Sequence, residues 1–165
     1  MKIIPNFLDQ QNFLELKENM LGSYFPWFLA EGVVKTGDNQ FQFIHNFYKE
    51  NQITSPFYNL LLPILDKIKL RALIRIKANL IYKTNKIIEH GFHTDVNPIK
   101  KNTKQKTAIL YMNTNNGYTK FKKSKVNSEE NKMVIFNSRE EHTGSSCTDQ
   151  EFRVVINFNY YDTDS

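Results

Sequence analysis

Cysteine is almost absent from this chain: among 165 residues there is one, Cys147. A lone cysteine cannot close an internal disulfide, so a reducing compartment is the simpler setting and a cytoplasmic location is expected. Glycine and proline are scarce, at six and five residues, and no Pro/Gly/Ser-rich linker divides the chain. No internal repeat is present either. No apolar run approaches the roughly 20 residues that a membrane-crossing helix needs. The opening Met1-Lys2-Ile3-Ile4-Pro5-Asn6 has neither the apolar core nor the small-residue cleavage site of a signal peptide. Charge of one sign is not in strong excess: 22 Lys and Arg against 17 Asp and Glu leave a formal +5. That excess is too small to argue nucleic-acid binding, and lysines kept for solubility account for it better.

What is present describes an ordinary globular protein, with 40% hydrophobic and 24% charged residues. The length fits one domain over residues 1–165. Thirteen Phe and eight Tyr favour strands and a bulky core. Residues 1–71 read as mostly helical support. Asp9 can cap a helix through Phe13, Leu14, Leu16 and Met20. Ser55-Pro56 is a second helix start, and Pro63 should kink or delay the helix that carries Leu60, Leu61, Ile64, Leu65 and Ile68. Between them Phe41–Phe47 alternates like a strand.

Residues 72–165 have a strand texture, with period-two alternation over Ile74–Leu80 and Thr107–Met112. Asn115-Asn116-Gly117 predicts a tight hairpin, because Asn and Gly tolerate positive φ, with Tyr118–Phe121 returning as the partner strand. Met133–Phe136 and Phe152–Phe158 complete the set. Helices first and antiparallel strands afterwards predict a mainly β fold with N-terminal helices, a double-stranded β-helix (jelly roll) buttressed by helices.

The chemistry concentrates in Gly91-Phe92-His93-Thr94-Asp95. On a strand, residues two apart share a face, so His93 and Asp95 can reach one point. His142, after 46 intervening residues, supplies a third ligand. Two histidines and a carboxylate on one face leave three coordination positions open, as in non-haem Fe(II) oxygenases. Zinc also accepts His/Asp/His. Arg153 follows His142 by ten intervening residues inside an otherwise apolar strand, where an unpaired guanidinium is costly. A carboxylate is its natural partner, and the strand holds no acidic residue, so a carboxylate ligand is a natural candidate.

From about residue 72 onward the chain resembles the prolyl-4-hydroxylase-like branch of the 2-oxoglutarate/Fe(II) dioxygenases. The matching elements are His93-Thr94-Asp95, Thr107–Asn113, Gly117–Phe121, and His142 followed by Arg153. The resemblance implies iron at the open end of the β-helix, chelated by the 2-oxo acid end of 2-oxoglutarate. Arg153 falls at the anchor of the distal carboxylate. Tyr111 matches a strand tyrosine on the same carboxylate, with Thr107 and Ile109 on its face by alternation. Tyr82 resembles a second tyrosine of the cosubstrate pocket, a buried core tyrosine being its other reading, and Thr119 is expected to line the pocket. The implied reaction consumes O2 and 2-oxoglutarate and releases succinate and CO2. It hydroxylates a substrate C–H bond, with ascorbate as an auxiliary reductant. A peptidyl side chain such as proline is the first substrate expectation, a small metabolite the second. The rivals are a non-catalytic jelly-roll binding module for a carbohydrate or protein, and a zinc hydrolase, which lacks an evident general base.

Other residues read as structural. His90, three positions before His93, should face the opposite side, and His45 belongs to the aromatic strand. Cys147 is a loop residue. The lysines of Lys100–Lys106 and Lys120–Lys125 form two basic clusters. The first lies in the segment from Asn97 to Lys106 that is expected to close over a pocket.

Overall fold

The computed structural model of the protein describes residues 1–34, 40–95 and 104–163. Among the described residues it is mainly antiparallel β. The strands in chain order are β1 (Lys2–Ile4), β2 (Phe28–Glu31), β3 (Phe41–Lys49), β4 (Gln52–Ile53), β5 (Leu70–Tyr82), β6 (Gln105–Tyr111), β7 (Tyr118–Phe121), β8 (Lys125–Asn127), β9 (Lys132–Asn137), β10 (His142–Gly144) and β11 (Phe152–Asp162). The large sheet runs β1-β9-β6-β11-β5-β3-β2, with β4 on β3, and a small sheet runs β10-β7-β8. Two antiparallel sheets facing each other, with helices outside the larger one, make the expected jelly roll.

Helix α1 (Gln10–Leu21) begins where Asp9 accepts a hydrogen bond from the Asn12 amide at 3.0 Å. Ser55-Pro56 opens a turn, and a 3-10 turn over Tyr58–Leu61 precedes the short α2 (Leu62–Lys67). Pro63 sits in the first turn of α2, where its missing N–H costs nothing, so the helix starts late as expected. The strand expected over Phe41–Phe47 is present as β3, but the mostly helical reading of the first seventy residues is corrected, since β1, β2 and β4 also lie there and the large sheet is extended at both edges. Phe25, Trp27, Phe43, Phe47 and Tyr48 pack into the core on the helix side of the sheet.

The expected hairpin at Asn115-Asn116-Gly117 is a second correction. β6 pairs with β9 and β11, whereas β7 pairs with β8 and β10, so this turn carries the chain from one sheet to the other. None of the three residues has a positive φ. The Asn115 side chain accepts from the Gly117 amide at 3.0 Å, an Asx turn that needs no left-handed residue. Glycine is required at 117 for space. A Cβ there would stand 2.7 Å from Arg153 Cδ and 2.8 Å from the Ser146 carbonyl oxygen. The tight turn with two positive-φ residues is elsewhere, at Glu50-Asn51 between β3 and β4.

Alternation then sorts the side chains. Ile76, Ala78 and Leu80 of β5, Ala108 and Leu110 of β6, and Val154, Ile156 and Phe158 of β11 face outward under Phe13, Leu16 and Met20 of α1 and Ile64 of α2. Each such buried Leu, Ile or Phe contributes roughly 1.5–3 kcal/mol. Ile109, Tyr111, Val134, Phe136 and Val155 point between the sheets, against Phe121 and Val126. The space between the sheets is where the site lies.

Candidate metal centre

His93 and His142 face each other across an isolated antiparallel bridge, each amide donating to the other's carbonyl at 2.9 and 3.0 Å. Their rings lie 4.9 Å apart, centroid to centroid. Asp95 joins them: Oδ1 is 3.8 Å from His93 Nε2 and Oδ2 is 3.9 Å from His142 Nε2. All three ligand atoms lie within 4.8 Å of one another, the spread that one shared cation would span. The histidines are fixed from behind. Nδ1 of His93 bonds the Gly91 carbonyl and Nδ1 of His142 bonds the Glu140 carbonyl, both at 3.1 Å. A backbone carbonyl accepts only from N–H, so each Nε2 is left as a lone-pair donor toward the centre.

Electrostatics prepare the same state. Burial pushes the His142 imidazole down, toward its neutral, metal-binding form. Burial alone would raise the Asp95 carboxyl, but His142, Arg75 and His93 and a hydrogen bond from Asn159 outweigh it and hold it below the usual carboxylate range. Arg75 reaches Asp95 twice, from Nη2 to the backbone oxygen at 3.2 Å and to Oδ1 at 3.5 Å. Asn159 donates to Oδ2 at 3.3 Å and to Thr107 Oγ1 at 3.1 Å. Two nitrogens and one oxygen of this kind suit a divalent first-row cation, and a facial triad leaves room for exogenous ligands.

A cavity of about 510 Å³, its open mouth included, extends from the triad between the sheets. Arg153 lines it and is 3% exposed. Its Nε donates to Ser128 Oγ at 2.8 Å and Nη2 to Thr119 Oγ1 at 3.2 Å, while the guanidinium lies 5.6 Å from the centre of the Tyr111 ring. Tyr111 in turn donates to Thr119 at 2.8 Å. Among the described residues no carboxylate pairs with Arg153. A buried cation held only by neutral oxygens and a ring is poised for an anion from outside.

The other expected site residues divide. Ile109 and Thr119 line the cavity, and Tyr111 sits behind Thr119. Thr107 faces the same side but acts through Asn159 behind Asp95. Tyr82 is not brought in: it is half-exposed at the end of β5 and packs on Phe43, ring centres 5.9 Å apart.

His90 was expected to face away, yet it lines the cavity, with Nδ1 bonded to Gln40 Oε1. Strand alternation fails between 90 and 93 because Gly91 takes φ of 95°. His45 is structural, buried between the Pro26 carbonyl and Ser55 Oγ. Cys147 is buried, which pushes its thiol up and leaves it unreactive. In the second basic cluster Lys120 pairs with Glu89 and Lys122 with Glu141. Most of the first cluster, and of the segment expected to close over the pocket, lies outside the described residues.

Sequence reasoning did not assign Arg75, Lys77, Asn79 or Gln42, nor Ser128, Asn157 or Asn159. The signal was present in Arg75, Lys77 and Asn79, which alternate with apolar residues. That pattern fits a solvent-facing surface and the wall of a polar cavity equally well.

Comparison with solved structures decides the fold. A 2OG-Fe(II) oxygenase family oxidoreductase from Burkholderia pseudomallei superposes with a TM-score of 0.68 at 11% identity, over 96% of this chain and 84% of that one. The chain has the fold of the 2OG-Fe(II) oxygenases. A Pseudomonas putida prolyl-4-hydroxylase matches with a TM-score of 0.64 and 13% identity, over 98% and 91% of the two chains. The epimerase SnoN, in complex with Fe3+, alpha ketoglutarate and nogalamycin RO, gives 0.68 and 12% over 97% and 78%. No protein-family model matches the sequence, and no curated protein matches it either.

Proposed function

We propose that the protein is an Fe(II)- and 2-oxoglutarate-dependent oxygenase, with His93, Asp95 and His142 holding the metal and Arg153 holding the distal carboxylate of 2-oxoglutarate. The observation that carries this reading is the pairing, in one cavity, of a His-Asp-His triad with a buried guanidinium that has no carboxylate partner among the described residues. A hydrolytic zinc site needs no such anion anchor, and neither does a jelly-roll binding module.

When bound, the metal and 2-oxoglutarate supply the oxidising power, drawn from O2 with release of succinate and CO2. The chain does the rest. Arg75 and Asn159 fix both oxygens of Asp95, so the carboxylate presents a set edge to the metal. Gly91 and Glu140 fix the imidazole rings through their carbonyls. Thr119 and Tyr111 hold the guanidinium of Arg153 on the cavity side, and Ile109 and Val155 supply the apolar part of the wall between triad and anchor. A cosubstrate held at both ends by these residues would have its orientation fixed by the chain.

The product is a hydroxylated C–H bond in this reading, on a peptidyl side chain such as proline or on a small molecule. A prolyl-4-hydroxylase and the epimerase SnoN share the fold, which supports reading the substrate within that range.

The test is succinate formation from 2-oxoglutarate by purified protein with Fe(II) and ascorbate in air. Slow turnover without a prime substrate is expected, and it should vanish in His93→Ala and in Arg153→Ala. No succinate, together with no 2-oxoglutarate binding to the anaerobic Fe(II) protein, would overturn the enzyme reading.

A further inference from the structure

The inner faces of β5 and β11 oppose each other in register as Arg153 with Ile81, Val155 with Asn79, Asn157 with Lys77, and Asn159 with Arg75. The functions of the two ends are accounted for. Arg153 is the anion anchor, and Arg75 with Asn159 grips Asp95. Between them stands a pair with nothing to do. Lys77 and Asn157 both line the cavity. Asn157 Oδ1 is buried without a hydrogen-bond partner among the described residues. Lys77 there donates no hydrogen bond and joins no ion pair.

We propose that Lys77 and Asn157 form a second carboxylate-binding subsite, in the middle of the cavity between the metal triad and the Arg153 anchor. The inference rests on the oxygenase reading above and deepens it. The Lys77 ammonium offers N–H donors to an incoming oxyanion, and the Asn157 amide adds its own N–H when turned so that Nδ2, and not the partnerless Oδ1, faces the ligand.

A lysine in this position is otherwise hard to justify. Burial, together with the like charge of Arg75, lowers its ammonium to about 8 against the partial support of Asp95. Neutralising Asp95 does not require it, because Arg75 already makes the direct contact. A methionine of similar length would fill the same space without the desolvation cost.

The carboxylate has two possible sources: the end of 2-oxoglutarate next to its ketone, or the prime substrate itself. In the second case the substrate is a carboxylate-bearing small molecule such as a free amino acid, and an uncharged prolyl side chain is excluded.

The experiment uses the full chain loaded with Zn(II), which binds without turnover. 2-Oxoglutarate affinity is measured by calorimetry for wild type, Lys77→Met, Lys77→Arg and Asn157→Leu. The twenty free amino acids are then screened by saturation-transfer NMR against protein already saturated with 2-oxoglutarate.

A weakening of about tenfold in Lys77→Met, one strong interaction's worth, that is restored in Lys77→Arg supports the subsite and assigns it to the cosubstrate. Unchanged 2-oxoglutarate affinity, with an amino-acid signal present in wild type and lost in Lys77→Met, supports it and assigns it to the substrate. Thermal unfolding of Lys77→Met should be no lower than wild type, which separates lost binding from lost folding, and Asn157→Leu gives the second reading. Unchanged affinity with no Lys77-dependent amino-acid signal overturns the subsite while leaving the oxygenase intact. A wild type that binds no 2-oxoglutarate overturns both.

Discussion

Two arginines enter the space between the sheets from neighbouring strands, and they are satisfied in opposite ways. Arg75 of β5 meets a carboxylate, Asp95, and an amide, Asn159. Arg153 of β11 meets two hydroxyls and an aromatic face. The more deeply buried of the two is the one without a counter-charge among the described residues. An internal ion pair settles the cost of a buried cation within the fold, whereas neutral partners leave part of that cost standing until an anion arrives. The difference separates a positioning residue from a binding residue without reference to any ligand.

The same substitution at both places should therefore have opposite consequences. Arg153→Met should abolish 2-oxoglutarate binding, a loss of roughly 100-fold or more, because a carboxylate buried there would face no cation. It should leave the thermal midpoint of the ligand-free protein unchanged or higher. Arg75→Met should lower stability by on the order of 2 kcal/mol, because it strands a buried Asp95, and should weaken metal binding by about 10–100-fold. Calorimetry with Zn(II) and 2-oxoglutarate, run beside melting curves, reads both variants. If Arg153→Met melts well below Arg75→Met, the contrast between them is wrong.

Gly117→Ala probes the same contrast from outside the cavity. The new Cβ would collide with Arg153 Cδ and with the Ser146 carbonyl. The backbone cannot yield easily there, because the Asx turn of Asn115 and the Gly117 carbonyl, which accepts from the Ser128 amide, hold it. We expect a stability loss of about 1–3 kcal/mol, with 2-oxoglutarate affinity reduced and Zn(II) affinity kept. Equal loss of both affinities would mean that the turn supports the whole roll and not the anchor.

The His-Asp-His cluster was legible because its signal is local in part: His93 and Asp95 lie two apart, and only His142 is remote. Arg153 was legible because charge in an apolar strand is costly wherever the strand sits. Of the C-terminal strands β5, β6, β7, β9 and β11 were legible, whereas the three-residue β8 and β10 are too short to show a pattern. What the sequence concealed were relations between segments. Asn115-Gly117 looks like a hairpin, and only the pairing of β6 with β9 and β11 reveals a crossing between sheets. His90 was placed by strand alternation, which Gly91 interrupts. Arg75, Lys77, Asn79, Asn157 and Asn159 looked like ordinary polar faces, since period two does not say whether a face meets water or a cavity. Tyr82 fits a spacing but lies one position out of phase with Ile81, the residue that lines the wall.

The smallest expected effect compares the two sides of the large sheet through their buried histidines. His45, on the helix side, touches the Pro26 carbonyl, Ser55 and the rings of Phe25, Phe47 and Phe57. His142, on the cavity side, faces Asp95, His93 and Phe136. Burial lowers both below the ordinary value of 6.5. The unfolded chain therefore takes up protons first as the pH falls through 6.5, and stability declines below that value while remaining level above it. Asp95, also lowered, contributes in the same direction only as the pH falls through and below the ordinary carboxylate value of 3.8, so urea midpoints at about pH 7.5 and pH 5 isolate the histidines. The metal-free protein should lose a modest part of its midpoint over that interval, and His45→Asn should lose less. Zn(II)-loaded protein should lose more, because protons and metal compete for His142. If loading with Zn(II) leaves the pH dependence unchanged, His142 is not a ligand, and the cavity side of the sheet is no different from the helix side.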